Sequence, residues 1–286
     1  MQRLITKFIV FIAIGLAIYM LIYKAYDYYN LPKNNNTCYI WGDSQMSDDV
    51  DLQYLDSNSS FRFYSAAAPG AGIYDFMVFA ASVPENSHVL IQLTTSVLLR
   101  RKEKDRNISA IDLPSLYKLA RNGYSPNDLF IIVKNNMVPQ EMYNTQNNLL
   151  PNADTLNLGY EPVSMMKAVF NTQNSYFDDK KNLYIDGIRT LINKKCKIIA
   201  IEFPFHPIFD EIENTSLYKN KLNDFDTTIA GYFDYKESIE INLKENIFHD
   251  LTHLNGRGAK YLTHELVGLL DFKHTPMLIK VKHGTN

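Results

Sequence analysis

Cys38-Tyr39-Ile40-Trp41-Gly42-Asp43-Ser44 is the stretch that decides the reading of this chain. The apolar run Cys38–Trp41 reads as a brief buried strand that ends at Gly42. Gly42 permits a tight turn, and the residues after it can begin a helix whose N-terminus favours negative charge near Ser44. In open parallel sheets, function collects at the carboxyl ends of the strands, which is where this serine sits. Taken alone the tripeptide is weak, because Asp and Ser after a strand are also ordinary helix N-caps.

Outward from that point, short apolar runs alternate with helical patterns. Phe61–Ala68 reads as a second strand, closed by Pro69 and Gly70. Ile73, Phe76, Met77, Ala80 and Ala81 recur at helical spacing. His88–Leu93 reads as a third strand, and Lys197–Phe203 as the clearest buried one, entered from a helix-like Tyr184–Lys194. Leu129–Val133 fits either a strand or part of a helical hairpin between Leu113 and Met142. A final helix spans about Gly256 to Leu270, with Ala259, Leu262, Leu266 and Leu269/Leu270 on one face. Continuous apolar strands alternating with helices predict an α/β fold, a parallel sheet covered on both faces in a three-layer α/β/α sandwich.

The second chemical element lies near the other end, in Phe248-His249-Asp250-Leu251-Thr252-His253-Leu254-Asn255. A serine hydroxyl needs a base to accept its proton, and that base needs a carboxylate to hold its tautomer. Asp250 and His253 can lie side by side on one turn, so one short loop can deliver both. By itself an Asp-x-x-His pair is common and usually structural. Zinc is a weaker reading, since no second His-x-x-His or Cys cluster supplies further ligands. His206, between Pro204-Phe205 and Pro207, could contact substrate at the same edge, or simply fix its loop. His249 fits a supporting position beside Asp250 or an exposed neighbour equally well.

Composition narrows the partners. Hydrophobic residues make up 46% of the 286-residue chain and aromatics 13%, enough for a sizeable core. A formal net charge of −2, with Lys and Arg scattered, gives no electrostatic case for nucleic acid. Cys38 and Cys196 form no metal-ligand spacing; they read as two buried thiols, with a disulfide left open. From Phe8 to Tyr23 run sixteen residues without a charge, preceded by Arg3 and Lys7 and followed by a crowd of tyrosines. Counted from Leu4, the segment meets the roughly 20 apolar residues that a membrane-spanning helix needs. The run ends in Met20-Leu21-Ile22-Tyr23 without a small-x-small cleavage site, which favours an uncleaved signal anchor over a cleaved signal peptide. The expected organisation is an anchor and juxtamembrane segment at 1–29, a polar linker at 30–37, one domain at 38–272 and a tail at 273–286.

In combination, Gly42-Asp43-Ser44 after the first strand and Asp250-x-x-His253 before the last helix resemble the SGNH/GDSL hydrolase superfamily. Leu254-Asn255-x-x-Gly258 continues as such sequences often do. The resemblance spans roughly Cys38 to Leu270, with only the terminal blocks sharp. It implies a mostly parallel, flavodoxin-like sheet. It also implies Ser44 as nucleophile, His253 as general base and acid, Asp250 as its orienter, and no cofactor or metal. Backbone N–H groups of Ser44 and Gly70 would bind the oxyanion, with Gly72 as the fallback for Gly70. Both glycines could instead merely turn the chain into the following helix. The family's Asn after the third strand is missing from Leu93-Thr94-Thr95-Ser96, and Thr95 or Ser96 stands nearest its place. Losing one such donor can cost on the order of 10²–10³ in rate. An anchored domain of this kind is similar to proteins of O-acylation of bacterial cell-envelope polysaccharides. That implies a single-pass protein of the bacterial cytoplasmic membrane with its catalytic domain outside. Its substrate would be an acylated glycan, and its partner a multi-spanning membrane-bound O-acyltransferase. The alternative from another class is a non-catalytic accessory protein that binds glycan or assembles with such a transferase.

Overall fold

The computed structural model describes residues 14, 15, 18, 36–93, 98, 160–173, 177–233, 239–243, 247–273 and 275–283. The chain runs β1 (Thr37–Trp41), α1 (Ser44–Asp48), α2 (Leu52–Asn58), β2 (Arg62–Ser65), α3 (Ile73–Ser82) and β3 (His88–Leu93). It resumes with α4 (Tyr160–Asn171), α5 (Phe177–Asn193), β4 (Lys197–Glu202), α6 (Pro207–Asn214) and α7 (Lys219–Ala230). β5 (Ile239–Leu243), α8 (Gly256–Leu269) and β6 (Met277–His283) complete it. Six strands form one sheet in the order β2-β1-β3-β4-β6-β5, and every neighbouring pair is parallel.

Alternation along the strands builds a core on each face. Tyr39, Trp41, Val89, Ile91, Ile198 and Ala200 pack with α3, α5, α6 and α7 through Phe76, Leu183, Phe209 and Phe225. Their neighbours Cys38, Ile40, Leu90, Ile199 and Ile201 face the other way, onto Met46 of α1, Leu55 of α2 and Leu262 and Leu266 of α8. Parallel strands need crossovers, and right-handed ones put successive connections on opposite faces when the chain reverses direction across the sheet. Here α1 and α2 link β1 to β2 on one face, and α3 links β2 to β3 on the other. The order reverses between β1 and β3, the switch point at which open parallel sheets bind their ligands, and Ser44 follows the carboxyl end of β1 there.

The second strand is shorter than the sequence reading, Arg62–Ser65 within the expected Phe61–Ala68, and two larger differences fall toward the end of the chain. The segment from 273 is not a tail, since Met277–His283 inserts between β4 and β5. Lys280 and Lys282 interrupt its apolar pattern, but their ammonium groups reach carboxylates on flanking strands, Glu202 at 3.3 Å and Glu240 at 2.5 Å. β5, the strand at that edge, was not expected either; Glu240 and Asn242 dilute its apolar signal. At the other boundary, β1 starts at Thr37, one residue inside the expected linker. Apart from Ile14, Gly15 and Ile18, the anchor expected over Leu4–Tyr23 lies outside the described residues, as does Leu129–Val133. No helix among the described residues is long and apolar enough to cross a membrane. Cys38, fully buried in β1, and Cys196, ahead of β4, are both free thiols.

Helices α3 and α5 pack closely at Gly187. A Cβ there would lie 2.5 Å from the Phe76 ring, which is stacked on Tyr184 at 4.7 Å and tilted on Trp41 at 4.6 Å. All three rings are fully buried and cannot swing aside. Alanine in place of a helical glycine gains up to about 1 kcal/mol of propensity, while overpacking costs about 1–3 kcal/mol. Gly187→Ala therefore lowers stability in urea unfolding; a gain would show that the Phe76 ring yields.

Candidate active site

Between Thr37 and Val50, Ser44 alone is not buried. Its turn is built by contact rather than by unusual backbone angles. A Cβ on Gly42 would lie 2.3 Å from Met46 Cβ and 2.6 Å from Gln92 Oε1, so only glycine lets the turn fold back this closely. Asp43 is the N-cap of α1, its carboxylate accepting from Gln45 N at 3.0 Å. The cap and the partly exposed serine thus belong to one turn, in which Asp43 is buried and Ser44 is not.

The partner loop is a tight excursion ahead of α8. Phe248 and Leu254 form an antiparallel bridge, and Asn255 N donates to Ile247 O at 2.7 Å to close its base. Asn255 then caps α8, accepting from Arg257 N and Gly258 N at 3.1 and 3.0 Å. Gly258 is required here because a Cβ would meet Ile247 O at 2.7 Å. Inside the loop, Asp250 Oδ1 accepts from Thr252 N and His253 N, each at 2.8 Å. That local turn folds the histidine back over the carboxylate. His253 Nδ1 lies 2.9 and 3.0 Å from the two Asp250 oxygens, and its Nε2 lies 2.7 Å from Ser44 Oγ. The three sequence-nominated residues form one hydrogen-bonded line.

Tautomer and charge follow from that line. With the imidazole neutral, the Asp250 carboxylate can only accept, so the proton sits on Nδ1 and Nε2 faces the serine as an acceptor. Burial acts against the Asp250 anion, but bonds from His253 and from the backbone N–H groups of Thr252 and His253 outweigh it and hold its carboxyl well below the usual range. For His253 burial disfavours the cation, and the hydrogen bond and charge of Asp250 reverse that and raise its pKa. Asp49 behaves oppositely. It is fully buried, which pushes its carboxyl well up; Oδ1 accepts from Leu254 N at 2.9 Å, and Oδ2 has no partner among the described residues. Neighbouring carboxyls are thereby separated, leaving Asp250 as the anion that faces the imidazole.

Beyond β2 the chain continues beside β1, with Ala66 N donating to Ile40 O and Ala68 N to Gly42 O, which leads Gly70 toward the same edge. Gly70 takes φ +83°, a left-handed value suited to glycine. The N–H of Gly72 donates to Asp75 Oδ2 at 2.8 Å at the start of α3, which leaves Gly70 the better placed of the two to donate outward. Thr94, Thr95 and Ser96 lie outside the described residues. His206 caps α6, its Nδ1 accepting from Ile208 N at 3.3 Å, its N–H donating to Leu251 O and its ring lying edge-on to Phe248. It ties the loop after β4 to the histidine loop. His249 donates through its backbone N–H to His253 O at 2.8 Å. Among the described residues no cluster of His, Cys, Asp or Glu could hold a metal.

Three residues at this site escaped the sequence reading: Gln45, Gln92 and Asp49. A signal existed for Gln92, the one amide in the apolar strand HVLIQL, because a buried polar side chain is more informative than a buried apolar one.

The paired shifts fix a pH dependence. Asp250, lowered, contributes stability above its unfolded value of about 3.9 and loses it as pH falls through the folded value. His253, raised, contributes below about 6.5 and loses it as pH rises through its folded value. In an NMR titration His253 should titrate above about 6.5, and Asp250→Asn should lower it, burial then being opposed only by the charges of Asp48 and Asp43. An unchanged value in that variant would remove the carboxylate as the cause. Compared with protein-family models and with curated proteins, the chain matches none.

Proposed function

We propose that this chain carries out serine-dependent acyl transfer or ester hydrolysis, on O-acetyl or other small acyl groups of an extracytoplasmic cell-envelope glycan. The observation that carries the reading is the line from Ser44 Oγ through His253 to Asp250, at 2.7 and 2.9 Å. Ser44 Oγ attacks an ester carbonyl while His253 Nε2 takes its proton, and Asp250 holds the imidazolium. Backbone N–H groups of Ser44 and Gly70 donate to the oxyanion that develops. His253 returns the proton to the departing alkoxide, leaving an acyl-serine. A second hydroxyl, from water or a sugar, then gives up its proton to His253 and takes the acyl group, and His253 passes that proton to the departing Ser44 Oγ.

The fold agrees with this reading. Its parallel sheet, its β2-β1-β3-β4 order and a serine at the switch point suit the three-layer, flavodoxin-like sandwich of SGNH/GDSL hydrolases, which the terminal blocks resemble. The glycan substrate, the anchor at Leu4–Tyr23, a place on the outer face of the bacterial cytoplasmic membrane and a membrane-bound O-acyltransferase partner rest on the sequence and that resemblance. The missing Asn after β3 favours a second reading, a non-catalytic accessory that binds glycan.

Labelling of the full-length protein with a fluorophosphonate probe separates the two. The wild type should label, Ser44→Ala should not, and His253→Ala should slow the reaction by at least roughly 10³-fold. A folded wild type that stays unlabelled would move the accessory reading to the front.

A further inference from the structure

Beneath the Ser44 turn lies a chain of buried amides. Gln92, on β3, is fully buried, and Gln45, on α1, is 2% exposed. Gln92 Oε1 accepts from Asp43 N at 2.9 Å and from Met46 N at 3.3 Å. Its Nε2 donates to Asp43 Oδ1 at 2.8 Å and to Gln45 Oε1 at 2.9 Å. Gln45 Nε2 passes the chain on, donating to Thr252 O at 2.6 Å and Pro204 O at 3.4 Å. Asp43 and Gln45 flank the serine, and Thr252 precedes His253.

The direction of both amides follows from their fixed partners. Reversing Gln92 would set its NH₂ against the Asp43 N–H and its oxygen against the Asp43 carboxylate. Reversing Gln45 would set its oxygen against two backbone carbonyls. One polarity satisfies every group, and a backbone N–H of the nucleophile turn sets it. Buried amides satisfied throughout are rigid, because any displacement leaves a desolvated polar group unpaired.

We propose that Gln45 is a positioning residue that fixes the register between the nucleophile turn and the histidine loop, with Gln92 setting its orientation. This rests on the serine-nucleophile reading. The Ser44–His253 hydrogen bond joins residues 209 positions apart, and its two loops belong to different crossovers. Gln45 spans that gap from one residue beyond the serine to one residue before the histidine. Without it, the loop keeps its own turn and its Asp250–His253 bond but loses this tether to the serine side.

The test uses the full-length chain and the fluorophosphonate labelling rate across pH, with thermal melting in parallel. Gln45→Met keeps the length of the side chain and removes both donors. It should slow labelling roughly 10²-fold at a temperature where the variant is fully folded, the scale expected for misplacing a catalytic pair by about an ångström. Gln45→Glu provides a readout that survives if the methionine variant does not fold. A carboxylate facing Thr252 O and Pro204 O is tolerated only when protonated, so its rate relative to wild type should fall as pH rises. Labelling of a folded Gln45→Met within about twofold of wild type, or a pH-independent ratio near one for Gln45→Glu, overturns the proposal. A wild type that never labels overturns the serine reading, and the positioning role with it.

Discussion

The candidate site exists because two loops from opposite ends of the domain meet over one sheet edge, closed by the hydrogen bond from Ser44 Oγ to His253 Nε2. Neither loop can make that bond unaided. The serine turn follows β1, and the histidine loop precedes α8, which leads into β6. Parallel pairing places the carboxyl ends of β1, β3 and β4 side by side, and the loops leaving them share one rim. On that rim the histidine loop is held from several directions. Asp49 takes Leu254 N, Leu251 O takes His206 N and Thr252 O takes the Gln45 amide.

Electrostatics at the rim depend on unequal burial of like groups. Asp49, sealed in the interior, is pushed toward its neutral form, whereas Asp250 receives enough donors to stay anionic despite partial burial. An imidazole between an anion and a hydroxyl is the arrangement in which proton transfer from the hydroxyl is most favoured. The same donors that stabilise the Asp250 anion also shape the loop, since Thr252 N and His253 N bond to it directly. Conformation and charge therefore rise and fall together here, and a change in either disturbs both.

The strands with continuous apolar runs were legible because burial on both faces leaves few polar positions to blur them: β1, β3 and β4 fall within a residue of their expected bounds. β5 and β6 were not, because edge position and charged carboxyl ends give them mixed patterns that only pairing explains. The role of Gly42 shows a subtler limit. A tight turn was expected there, but the reason for glycine is the approach of Met46 and Gln92, the latter fifty residues away in sequence.

By itself the sequence determined the parallel α/β class and the local turn that can pair Asp250 with His253, because these follow from short-range spacing and continuous burial; Ser44 was joined to that pair only by the resemblance of the two blocks to a family pattern. Only the tertiary structure decided that the serine reaches the histidine, that Gln92 and Gln45 run beneath both, and that the final residues complete the sheet. Those contacts join positions far apart along the chain, where no local pattern can record which partner a buried amide or a charged strand will find.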